Sequence, residues 1–211
     1  MKPNHPLEGM VVAELGAREA VGVCGSLLAQ LGATVIAVES VDVTRAARAC
    51  RAQFLAGKQS LAYDGGAHAD QELLRKLITR ADVVLISSDV DIPDFKLDAQ
   101  QPSNIVCDIT AFGGAGPMAG QGLSETQLQA LSGIMDTTGP GDGAPVPIGV
   151  PVIGYASGVF AASAVLAALR VKRRDGLGQR VEVAMFDTAF VSLNVFLTGV
   201  MTGQIADRTR L

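Results

Sequence analysis

Tryptophan is absent, and aromatic residues make up only 4% of the 211 residues. Core volume must therefore come from Val, Leu, Ile and Ala, in a chain long enough to bury one core without staples. Histidine occurs twice, as His5 and His68. His68 lies in a glycine-rich turn and reads as solvated, and no metal-ligand spacing is present. Positive charge is also thin: 17 Lys and Arg face 21 Asp and Glu, for a net charge of −4. Without a basic stripe or basic-aromatic interleaving, no nucleic-acid partner is expected. The three cysteines, Cys24, Cys50 and Cys107, are odd in number and lack metal or redox spacing. They read as buried, reduced thiols of a cytoplasmic protein. The first residues lack the apolar run of a secretory signal.

What is present is alternation. Short apolar runs at Met10–Leu15, Thr34–Val38, Asp82–Ile86 and Ile105–Ile109 read as strands. Between them, helical patterns fall at Val21–Leu31, stopped by Gly32, and at Asp70–Thr79, with Leu73, Leu74, Leu77 and Ile78 on one side. Strands that are apolar throughout, separated by helices, predict an α/β fold. The sheet is expected to be Rossmann-like, open and mainly parallel, with helices on both faces. Further on, Ser124 and Gln127 predict a capping box for a helix over Glu125–Met135. Gly139–Pro151 is rich in Gly and Pro and reads as a loop. A long helix is expected over Val152–Arg173, stopped by Gly176. Val150–Leu169 carries no charge over a stretch long enough to cross a bilayer. It is crowded with Ala, Gly and Ser, however, and a strand follows it, so a buried helix packed on the sheet is expected and no membrane partner. Arg180–Met185 alternates like a strand with one wetter face. Asp187 is expected to cap a last helix, Thr188–Met201. No linker or repeat divides the chain, so residues 1–211 are expected to form a single domain.

The first strand–helix loop is where an open parallel sheet binds ligands. Gly16 and Gly22 are too far apart for a dinucleotide fingerprint, and Glu19 puts negative charge where a phosphate would sit. NAD and NADP are therefore not expected.

The ordered set of short motifs resembles the family III CoA-transferases, which include formyl-CoA and carnitine CoA-transferases and the α-methylacyl-CoA racemases. The motifs are a Cys24-bearing helix, Leu31-Gly32-Ala33, Val35–Glu39, Gly57-Lys58-Gln59-Ser60-Leu61 and Arg80–Val84. They continue through Ile109–Pro117, Leu131-Ser132-Gly133, Gly149-Val150-Pro151, Gly178-Gln179 and Asp187. The resemblance implies the N-terminal part of that family's large domain, with CoA or acyl-CoA as ligand and no covalent cofactor. It implies ligand contacts at Arg18, Ala20, Lys58 and Tyr155, where Tyr155 reads equally as a packed core residue. The family's attacking aspartate falls at Gly154, which has no side chain. The racemases' His position falls near Ser124. Among other nearby acids, Glu125, Asp136 and Asp142, Glu125 is the remaining candidate for a relocated carboxylate. Basic residues are sparse where the family gathers them around phosphates. Gln59 and the acidic run Ser88–Asp94 stand there instead, and Arg45, Arg48 and Arg51 read either as substitutes or as a solvated helix face. Family members are longer and add a small domain, so the resemblance also implies a homo-oligomer or a partner subunit covering an exposed half.

Overall fold

The computed structural model describes residues 5–42, 52–89 and 103–203. Cys50, Arg45, Arg48, Arg51 and the acidic positions 90–94 lie outside the described residues.

Six strands form one wholly parallel sheet: β1 (Val11–Glu14), β2 (Thr34–Ser40), β3 (Gln59–Tyr63), β4 (Val83–Ile86), β5 (Ile105–Thr110) and β6 (Gln179–Ala184), in the order β3-β2-β1-β4-β5-β6. The expected strands are all there. β3 was not anticipated as a strand, because Gln59, Ser60 and Ala62 are exposed on this edge and leave little apolar pattern. β4 and β5 are buried at every position, as strands covered on both faces must be.

The helices are α1 (Glu19–Gln30), α2 (His68–Arg80), α3 (Glu125–Ser132), α4 (Val152–Asp175), α5 (Met185–Ser192) and α6 (Asn194–Met201). On one face, Val12, Val35, Leu85, Ile105 and Ile109 of the sheet join Val21, Cys24 and Leu28 of α1 and Ala161 and Val165 of α4 in the larger core. On the other, α2 turns Leu74 toward Ala13, Val84 and Val106. Leu77 and Ile78 pack at its margin, while Leu73 is exposed. Cys24 and Cys107 are free and buried, and burial pushes the Cys107 thiol up to about 12.

Local rules account for the helix ends. Ser124 and Gln127 form the reciprocal capping box of α3. This helix stops at Ser132, short of the expected Met135, because Gly133 turns left-handed (φ 88°). Gly176 does the same after the basic last turn of α4. α4 has the length and composition of a membrane span, but half of its most apolar stretch is buried in the domain, packed on α1 and the sheet. Asp187 does not cap the last helix. Helix geometry begins two residues earlier, at Met185, so Asp187 sits in the first turn of α5, and the expected Thr188–Met201 helix is broken at Leu193 into α5 and α6.

Candidate functional site: a cleft where two helices begin

The strand order reverses between β1 and β4, the switch point beside which such sheets hold ligands. A cleft of about 460 Å³ opens at the carboxyl end of β1, lined by the β1–α1 loop, Gln53–Leu55, the start of α3 and the loop Pro147–Pro151. The amino ends of α1 and α4 converge on it. A Cβ placed on Gly154 would lie 3.2 Å from Glu19 Cβ and 3.6 Å from the Ala20 amide nitrogen. Ala20 is buried, so its contribution to the site is its backbone.

Glu125 occupies the mouth of α4. Its Oε1 accepts from Ile153 N at 3.0 Å and its Oε2 from Gly154 N at 2.9 Å, satisfying two of the donors that a helix start leaves open. Buried Gln129, one turn on, donates to Glu125 Oε1 at 2.8 Å and accepts from Ile148 N at 2.9 Å. Two side chains at i and i+4 on α3 thus tie the Gly- and Pro-rich loop and the start of α4 to one helix. Glu125 is the acid nearest the vacant position 154, as the sequence suggested, and it serves there as a cap.

The two cations of the cleft are engaged inside the protein. Arg18 grips Asp89 with both arms (Nε to Oδ1 3.1 Å, Nη2 to Oδ2 2.7 Å) and donates through Nη1 to Leu123 O at 2.7 Å. Asp89 Oδ2 also accepts from Ala111 N at 2.6 Å. This latch is buried on both sides and spans the ends of β1, β4 and β5 and the approach to α3. Lys58 reaches under α1 to Glu14 Oε2 (2.6 Å) and Gly22 O (2.8 Å), with none of its side chain exposed. Gly25 makes room for that pair, since a Cβ there would fall 1.9 Å from Glu14 Oε2. Tyr155 is half out of the domain, its ring 6.0 Å from that of Phe54, which lines the cleft. Asp136 and Asp142 are not among the lining residues. Sequence reasoning missed Asp89 as a partner of Arg18, and missed Phe54. Gln129 carried a signal in its spacing from Glu125.

A doubly wound parallel sheet, with its cleft beside the switch point and two helix starts facing it, defines an α/β ligand-binding domain. Within that class, the model of CoA-transferase family III matches residues 7–210, and the chain belongs to that family. It is 33% identical to the succinate–glutarate CoA-transferase of Agrobacterium fabrum, over 88% of this chain and 52% of that protein. It is 28% identical to the succinyl-CoA–D-citramalate CoA-transferase of Chloroflexus aurantiacus, over 99% of this chain and 56% of that protein. Among solved structures, a CAIB/BAIF family protein from Brucella suis superposes with a TM-score of 0.81 at 30% identity, covering 98% of this chain and 60% of that one. The chain thus spans about half the length of the curated relatives it matches.

Proposed function

We propose that this chain handles CoA thioesters as a family III domain whose position 154 supplies no nucleophile, so that it serves as the non-catalytic partner of a chain that has one. A carboxylate route to transfer requires an oxygen that attacks the thioester carbonyl, breaks the C–S bond and releases CoA thiolate, leaving an acyl anhydride on the protein. Gly154 has no such oxygen. The observation that carries the proposal is the state of Glu125. Its two oxygens accept three hydrogen bonds, from Ile153 N, Gly154 N and Gln129, and a carboxylate stabilised in this way is a poor attacking group.

A second reading keeps the chain active, with Glu125 as the nucleophile, and rests on that residue lining the cleft. Titration with CoA and acetyl-CoA followed by hydroxylamine trapping tests both. The first reading expects saturable heat and no hydroxamate on the protein. A hydroxamate mapped to Glu125 establishes the second, and no heat at millimolar ligand overturns both. Gly154→Asp is expected to restore a trappable acyl group. The added Cβ meets Glu125 Oε2 at an ordinary 3.6 Å, and only Glu19 Cβ must yield slightly. The cytoplasmic location and a covering partner belong to the same proposal. They are supported by the free, buried thiols and by large apolar side chains exposed on α4 and α5.

A further inference from the structure

We infer that the cleft selects an uncharged acyl group and rejects one carrying a second carboxylate. This rests on the reading of the cleft as a CoA-thioester site and names the substrate class it takes. The inference comes from a charge inventory. Four ionisable side chains line the cleft besides Glu125 or stand behind its wall, and they cancel in pairs: Arg18 with Asp89, and Lys58 with Glu14. Both cations are buried and held by two or more short contacts each, so neither is left to meet an incoming carboxylate.

Two carboxylates remain, Glu19 and Glu125, and both line the cleft. Glu125 accepts only from backbone and amide N–H groups, and Glu19 stands in the first turn of α1, with its Cβ 3.2 Å from where a Cβ on Gly154 would be. The amino ends of α1 and α4 each bring roughly half a positive charge. Together they halve the charge of two carboxylates without reversing it. The acyl end of a ligand that reaches the mouth of α4 therefore meets a partly desolvated wall of negative sign. Backbone N–H donors already given to Glu125 offer it no compensation. An alkyl end meets Phe54, Ile148 and Val150, which line the same cleft. A like-charge approach in such a setting outweighs the small difference in size between a methyl and a carboxylate.

Butyryl-CoA and succinyl-CoA test this directly, because both have four acyl carbons and differ in whether the end is a methyl or a carboxylate. Isothermal titration of the full chain at low salt is expected to give butyryl-CoA at least about a tenfold tighter Kd. Glu19→Gln is expected to recover about threefold or more of the succinyl-CoA affinity and to leave butyryl-CoA unchanged. Equal Kd values, or tighter succinyl-CoA, overturn the inference while the CoA-site reading stands. If free CoA and both thioesters all fail to bind, the site reading falls and this inference falls with it.

Discussion

The Lys58 ammonium has no exposed surface and is held by one carboxylate oxygen and one carbonyl. Taking such an ion out of water costs several kcal/mol, which close partners offset only while both remain. Lys58→Met is therefore expected to lower unfolding free energy by about 3 kcal/mol, read from the urea midpoint at constant m value. The double change Glu14→Gln with Lys58→Met should recover much of that loss, since no charge is then stranded. A Lys58→Met midpoint equal to that of the parent would mean the pair contributes nothing. The same residue shows what a family motif tells and what it leaves open. The motif at Gly57–Leu61 located Lys58 beside the site, but only the fold reveals that it lies beneath α1 and props the helix. Arg18 is similar. Its position in the first loop was legible, whereas its partner Asp89 is 71 residues away, joined to it by the adjacency of β1 and β4.

Helix α4 meets α1 at backbone distance. A Cβ on Gly158 would fall 2.6 Å from Val23 Cβ and 2.8 Å from Ala20 O, which leaves no space for even a methyl group. The small-residue character of α4 is thus a packing requirement, and it brings the two helix starts together at one cleft. Gly158→Ala should cost about 1–3 kcal/mol through overpacking, more than the helix-propensity gain of losing a glycine returns. Because the displaced partner is Ala20, the change should also weaken CoA binding in calorimetry. A stabilised variant, with higher Tm and intact binding, would show the helices free to separate. At this scale the sequence was most readable: the alternation of buried runs and amphipathic helices, the Ser124–Gln127 box and the glycine stops all rest on local rules. Where it was not, neighbours decided. Edge strand β3 is specified by its pairing with β2, from Ile36↔Gln59 to Ser40↔Tyr63, more than by any pattern of its own. The break at Leu193 between α5 and α6 has no Gly or Pro to announce it.

On the scale of the whole molecule, the sheet buries its centre well and leaves one flank apolar. Val159 and Phe160 on α4, Phe190 and Val191 on α5, and Val200 and Met201 on α6 are all more than 45% exposed. Scattered single apolar residues are ordinary, but six on three consecutive helices exceed what a free-standing monomer usually shows to water. Residues Phe160 and Val191 also share a shallow groove with β6, the sheet's outer strand on that side. The expected outcome is association. Sedimentation velocity at tens of micromolar should show a species heavier than the 21.8 kDa chain, and Phe160→Lys should shift it toward the monomer. Phe160 is 53% exposed, so this change disturbs little of the core and should leave Tm within a degree or two. A parent chain that sediments as a monomer throughout would remove the covering partner from the proposed function. Gly154 and the cleft charges would then be properties of a domain that acts alone.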